Sequence, residues 1–169
     1  MNGHPGGEAH TRRMLELAAL PRVARILDMG AGAGETLRLL RESGFDAAGI
    51  DLSPRAQAVL QGDFLAAPFP DGSFDAVLSQ CAFFVSGDVP GALREATRLL
   101  KRGGKLLLSD VFFEDPVPLL ERAGFSVLSA EDMTPQWREY YLEALWREDE
   151  PCCLPRGKCN YWLLIAERR

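Results

Sequence analysis

Histidine is scarce in this chain: the 169 residues contain two, His4 and His10. That disfavours a histidine-rich zinc centre, since imidazole is a principal ligand of catalytic zinc. No apolar run reaches the ~20 residues that a bilayer-crossing helix needs, so no membrane segment is expected. No basic stretch followed by an apolar one opens the chain, which gives no secretion signal. Positive charge is not in excess. Lys and Arg number 19 against 24 Asp and Glu, a net charge of −5. This argues against a nucleic-acid surface. The expected setting is cytoplasmic, where the four cysteines remain thiols. Repeats and low-complexity tracts are absent, which leaves an ordinary globular composition, 47% hydrophobic and 25% charged. The length suits one domain over residues 1–169, with an arm and helix over 1–20 and a core over 21–169.

The densest signal is Ile26-Leu27-Asp28-Met29-Gly30-Ala31-Gly32-Ala33-Gly34-Glu35-Thr36. An apolar stretch ends in Asp28, and glycine then recurs at Gly30, Gly32 and Gly34. A second apolar stretch, 47–50, ends in Asp51. This reads as a strand, a tight turn open to a ligand, a helix start and a second strand. The acid ending that second strand suits two ribose hydroxyls. A dinucleotide fingerprint would need glycine where Glu35 stands, and a carboxylate at a helix start repels a pyrophosphate. An NAD-dependent oxidoreductase is therefore disfavoured, and a cofactor without phosphates is favoured. S-adenosylmethionine (SAM) has adenosine, a sulfonium cation and an amino-acid tail, whose positive charge Asp28 would balance. A glycine turn with no ligand is the alternative that this motif alone leaves open.

Periodicity then orders the rest. Residues 8–20 show a helical face of Met14, Leu15, Ala18 and Ala19. Strands are expected over 23–29, 47–51, 74–80, 106–111, 125–130 and 160–166, with a stunted one over 59–63. Helices are expected over 36–42, briefly after Ser53-Pro54, over 88–100 ending at Gly103-Gly104, and over 116–123. A last helix opens at Pro135, with Trp137, Tyr140, Tyr141, Ala144 and Leu145 at helical spacing. Residues 147–157 read as a charged loop. Strands alternating with helices specify an α/β fold, a parallel sheet with helices on both faces. The connection before the final strand allows it to return antiparallel.

These segments, in this order, resemble class I SAM-dependent methyltransferases. D-x-G-x-G-x-G resembles their motif I. Gly49-Ile50-Asp51-Leu52-Ser53-Pro54 resembles the ribose segment, and Asp63-Phe64 with the run 68–75 resembles the adenine turn. The run 99–106 resembles the turn into strand 5. The resemblance covers about residues 4–169. It implies a Rossmann-like seven-stranded sheet, mostly parallel with an antiparallel last strand. It assigns cofactor binding to Asp28, Gly30, Gly32, Gly34, Asp51, Leu52, Asp63, Phe64, Ser79 and Gln80. Asp28 would neutralise the cationic end, Asp51 would accept from the ribose, Asp63 would accept the adenine amino group, and Phe64 would offer its backbone amide. One departure stands out: eleven residues separate Asp51 from Asp63, so the second crossover is clipped.

Residues after strand 4, including Cys81, Phe83 and Phe84, are expected beside the cofactor and substrate. The arm His4-Pro5-Gly6-Gly7 is expected to fold over the same face and to order with cofactor bound. His4 and Cys81 are the candidate catalytic residues. Cys81, Cys152, Cys153 and Cys159 all fall on the cofactor side if the last strand is antiparallel. Ser79-Gln80-Cys81-Ala82-Phe83 and Ser109-Asp110-Val111 are similar to arsenite methyltransferases, which implies a thiol site; a small buried hydrophobe is the other reading of Cys81. The spacing Cys152-Cys153 then Cys159 is not that of a zinc finger. Trp137, Tyr140 and Tyr141 read as core or as a pocket wall. The expected activity is SAM-dependent methyl transfer to a small molecule. The alternatives are a thiol-dependent metalloid methyltransferase and a non-catalytic SAM-binding module.

Overall fold

The structure, a computed structural model, describes residues 4–146 and 157–169. Helix α1 (Gly7–Ala18) precedes β1 (Arg25–Met29), α2 (Glu35–Glu42), β2 (Asp46–Asp51) and β3 (Leu60–Gln61). After a 3-10 turn at Phe64–Ala66 come β4 (Phe74–Gln80), α3 (Phe83–Ser86), α4 (Val89–Leu99) and β5 (Leu100–Phe112). Helix α5 (Val117–Arg122), β6 (Phe125–Asp132), α6 (Thr134–Trp146) and β7 (Asn160–Arg168) complete the order.

The strands form one seven-stranded sheet in the order β3-β2-β1-β4-β5-β7-β6. Strands β1 to β5 run parallel, and β7 lies antiparallel between β5 and β6. The expected α/β architecture with an antiparallel last strand is therefore present. From β1 the chain winds outward through β2 to β3, then returns to the other side of β1 as β4. Strand order reverses between β1 and β4, so a crevice opens beyond their carboxyl ends.

Successive side chains of a strand point to opposite faces, and the two cores follow that alternation. Ile26, Ala76, Leu78, Leu107, Leu163 and Ile165 pack with Met14 and Ala18 of α1 and Leu37 and Leu40 of α2. Leu27, Val77, Leu106, Leu108 and Leu164 pack on the other face with Leu93, Ala96 and Leu99 of α4 and Leu120 of α5. Because both faces are covered, β1 and β4 are buried almost throughout rather than alternating. The Asp88 carboxylate caps α4 by accepting from the Gly91 amide at 2.8 Å, a contact worth ~1 kcal/mol. Among the described residues no helix is long and apolar enough to cross a membrane.

Three local expectations are corrected. No helix follows Ser53-Pro54: residues 52–59 are turns and bends. The Arg55 amide donates instead to the Gly32 carbonyl at 2.9 Å, which ties this segment to the glycine turn. Strand β5 begins at Leu100 rather than 106, because its pairing with β4 resumes across a register shift near Asp75. The short helix α3 directly after β4 was unforeseen; Gly87, at φ 73°, ends it.

Arg98 of α4 fixes the loop after the 3-10 turn. Its guanidinium donates to the carbonyls of Ala67 and Phe69 and to the carboxylates of Glu95 and Asp71. Glu95, buried, also accepts from the Ala67 amide at 2.9 Å. A loop that would otherwise be free to move is held against the sheet beside the crevice.

Candidate active site

The turn between β1 and α2 is built by glycine where a side chain could not go. Gly30 has φ 86°, and a Cβ there would stand 2.3 Å from the Ala82 Cβ. Its amide and that of Ala31 both donate to the Ile50 carbonyl, at 2.9 and 3.1 Å. Gly34, at φ 77°, is the residue that caps α2. The Gly32 amide donates to Oδ2 of Asp51 at 2.9 Å, and the Ser53 amide donates to Oδ1 at 2.8 Å. These two amides fix the direction of the Asp51 carboxylate. Each of its oxygens keeps a lone pair for a further donor.

Asp28 is the electrostatic centre. It is 3% exposed, and its Oδ2 has no hydrogen-bond partner. Burial, and after it the neighbouring Asp51 charge, pushes the Asp28 carboxyl up to about 7. An orphaned buried carboxylate is costly unless something completes it. A ligand bearing an ammonium or sulfonium group would do so, which is the fit that the cofactor reading requires. The cavity around it, of about 180 Å³, is lined by Gly30, Gly32, Glu35, Arg55, Gln80, Cys81 and His4 among others.

A second cavity, of about 430 Å³, shares Gly30, Gln80 and Cys81 with the first. Asp51, Leu52, Asp63 and Phe64 border it. Its size lies within the range of small-molecule pockets. Oδ1 of Asp63 accepts from the Leu65 amide at 2.8 Å and so caps the turn that carries Phe64. The Phe64 ring is buried against Phe83, with ring centres 5.9 Å apart.

Of the ten expected binding residues, the crevice gathers Asp28, Gly30, Gly32, Asp51, Leu52, Asp63, Phe64 and Gln80. Gly34 shapes the turn from beneath, against Ala56 and Val59. Ser79 faces away: it is fully buried, and its hydroxyl donates to the Met29 carbonyl at 2.9 Å, clamping β4 to β1.

The arm reaches the crevice. Gly6 and Gly7, at φ 78° and 52°, fold it back. The Gln80 Nε2 donates to Nδ1 of His4 at 3.1 Å, and Thr11 Oγ1 donates to Gln80 Oε1 at 3.1 Å. The His4 Nε2 lies 3.2 Å from Thr11 Oγ1. These contacts form a closed ring when His4 is neutral with its proton on Nε2, whereas the Pro5 carbonyl, 3.1 Å from Nδ1, is met by the other tautomer. Burial, opposed by the Pro5 carbonyl and Glu35, lowers the His4 pKa and favours that neutral form. Thr36 Oγ1 also donates to Gln80 Oε1, at 3.2 Å. Residues 4–7 take this position; residues 1–3 lie outside the described residues.

Cys81 closes the crevice floor with φ 57°, an unusual conformation for a residue with a side chain. Its Sγ is 3.3 Å from the Tyr161 hydroxyl, which lies 2.7 Å from Ser109 Oγ. Tyr161 is fully buried, and burial raises its pKa. The antiparallel β7 brings Cys159 to the same end of the sheet, where it is buried beside Trp137, Tyr141 and Tyr161. Burial pushes its thiol up as well. Cys152 and Cys153 lie outside the described residues. Among the described residues no three His, Cys, Asp or Glu side chains group to hold a metal. Trp137 and Tyr141 are buried in packing, with the Trp137 ring parallel to Tyr161 at 6.2 Å.

Sequence reading missed Thr11, Thr36, Arg55 and His10. His10 is buried against Tyr161, its Nε2 unpartnered, and burial and the neighbouring His4 lower its pKa to about 4. The helical face read over 8–20 would have placed His10 and Thr11 inward beside Met14, had polar residues been allowed in the pattern.

Residues 27–108 match the family model described as a methyltransferase domain. This span carries the glycine turn, Asp28, Asp51, Asp63 and Gln80. Over this span the chain is similar to the methyltransferase-domain family. A demethylmenaquinone methyltransferase of Thermus thermophilus is 35% identical over 113 residues, which cover 57% of this chain and 51% of that protein. A sarcosine/dimethylglycine N-methyltransferase of Halorhodospira halochloris is 29% identical over 180 residues, covering 90% of this chain and 64% of that protein. The chain thus spans about half to two thirds of the length of these relatives. Among solved structures the [4+2]-cyclase SpnF superposes with a TM-score of 0.76 at 21% identity, covering 95% of this chain and 80% of that one. This methyltransferase-domain sheet also occurs in a protein named as a cyclase, so the sheet alone does not fix the reaction.

Proposed function

We propose that the chain binds SAM in the crevice and transfers its methyl group to a small-molecule acceptor. The observation that carries this is Asp28, a buried carboxyl group that has a partnerless oxygen and borders a cavity beside a glycine turn. Its chemistry fits a cationic ligand and opposes a phosphate.

When bound, SAM supplies an activated methyl group on a sulfonium centre. Asp28 in its ionised form would hold the cationic tail. Asp51, aimed by the Gly32 and Ser53 amides, would accept from the ribose hydroxyls. Asp63 and the backbone of Phe64 would meet the adenine at the wall of the larger cavity. The folded arm excludes water from the methionine end, and the Thr11 and Thr36 hydroxyls fix Gln80 between the two cavities. His4, held neutral by burial, would take a proton from the acceptor at Nδ1, releasing the Gln80 amide as it does so. Cys81, which borders both cavities, would be the second residue to touch an acceptor. Nothing observed favours a thiol-dependent metalloid reaction or a purely binding role. A single domain over 1–169, acting in the cytoplasm on a substrate that is not a nucleic acid, belongs to the same reading; the acidic net charge supports its last part.

Calorimetric titration with SAM, S-adenosylhomocysteine (SAH) and NADH tests it, beside Asp51→Ala. The expected result is micromolar binding of both adenosyl ligands, lost in the variant and absent for NADH. Binding of NADH alone would return the chain to the oxidoreductases.

A further inference from the structure

We propose that Arg55 forms, with Asp28, a two-sided clamp for an α-amino-acid head group. In this clamp Asp28 holds the ammonium and Arg55 holds the carboxylate. The inference rests on the cofactor reading above and goes further, because it assigns the carboxylate to a side chain that the family's motifs do not mark.

Arg55 owes its position to the clipped crossover. Where a longer connection would carry a helix away from the glycine turn, residues 52–59 stay beside it, and the Arg55 amide is bonded to the Gly32 carbonyl. The guanidinium consequently lies over the turn, with Nη2 3.7 Å from where a Cβ on Gly32 would stand. It lines the same small cavity as Asp28. Most other arginines on this half of the sheet are already engaged: Arg38 with Glu42, Arg41 with the Ala47 carbonyl, Arg25 with Asp46 and the Ser73 carbonyl. Among the described residues the Arg55 guanidinium makes no hydrogen bond and no ion pair.

The cavity is therefore bordered by one buried carboxyl group with an unpartnered oxygen and one unpaired cation at its rim. A ligand that is neutral, or that carries one sign of charge, satisfies one of them. A zwitterion with an ammonium and a carboxylate on the same carbon satisfies both within about 180 Å³. Arg55 is planar and multidentate, and so matches a carboxylate better than a lysine would. The clamp would let the protein distinguish intact cofactor from adenosyl thioethers that have lost the carboxyl group.

The probes are SAH and its decarboxylated analogue S-adenosyl-3-thiopropylamine, titrated calorimetrically into wild type, Arg55→Gln and Arg55→Lys. A charge-assisted hydrogen bond at a partly exposed rim predicts that wild type prefers SAH by about tenfold to thirtyfold. Arg55→Gln should weaken SAH by that factor and leave the analogue unchanged; Arg55→Lys should fall between. Equal preference for SAH in wild type and Arg55→Gln overturns the clamp while leaving the cofactor reading intact. Failure of both probes to bind wild type overturns the cofactor reading itself. Unchanged thermal unfolding of Arg55→Gln without ligand separates loss of contact from loss of fold.

Discussion

Asn in place of Asp28 is expected to stabilise the ligand-free protein at alkaline pH while destroying its ligand response. Folding lifts this carboxyl from 3.8 to about 7, chiefly by burial. The folded state therefore holds a proton that the unfolded state has lost throughout that window. Stability falls as pH rises from 3.8 towards 7, and the deficit is complete above 7, where it amounts to about 4 kcal/mol. Asn cannot ionise, so Asp28→Asn removes the deficit. It introduces a buried amide that lacks full hydrogen bonding, at a cost of about 2 kcal/mol. The net gain at pH 8 is then about 2 kcal/mol, a rise of ~4–8 °C in Tm for a domain of this size. At pH 5 the wild-type carboxyl is already protonated. The advantage should vanish there, and the order of the two proteins should reverse. Thermal unfolding of both proteins between pH 5 and 8 measures this. A Tm difference that stays the same across the series would mean that Asp28 does not change protonation in this range, and the argument would fail. Saturating SAH at pH 8 should raise the wild-type Tm by several degrees and the variant's far less, because a ligand stabilises only in proportion to its affinity for the fold.

Two further outcomes follow from the same geometry. Gly30→Ala forces a methyl group to within 2.3 Å of the Ala82 side chain at a φ of 86°, and should lower stability by about 3 kcal/mol in urea titration; a loss below 1 kcal/mol would mean that the turn yields easily. His4→Ala should leave SAH affinity within about threefold while lowering kcat/KM by ~100-fold or more, with loss of the acid limb of the pH profile; an unchanged profile would remove His4 as the proton acceptor.

Sequence and structure agree most closely where a pattern is enforced by packing. Strand β4 is read as residues 74–80 and occupies Phe74–Gln80, because Phe74, Ala76, Val77 and Leu78 follow the Asp71-Gly72 turn signal and pack into the cores on both faces. The Asp28 and Asp51 positions are legible because each acid directly follows an apolar stretch within its strand. The crossover helix after Ser53-Pro54 was misread since local capping chemistry was present but its backbone found a better partner in Gly32. Ser79 was misplaced because a residue's nearness to the strand end says nothing of which face it takes. The His4 ring was out of reach for another reason: its members are separated by up to 76 residues, and no local pattern links them.

The position of β7 between β5 and β6 has a consequence for how the chain folds. Among the described residues β6 makes no ladder with β5 and pairs into the sheet through β7. Until residues 160–168 emerge from the ribosome, β5 therefore keeps an open edge of apolar backbone, and β6 has no place to dock. The nucleotide-side half, β1 to β4, is complete much earlier. Synthesis should pass through a stage in which a formed crevice coexists with an unfinished sheet, and that exposed edge is the place where misassembly would begin.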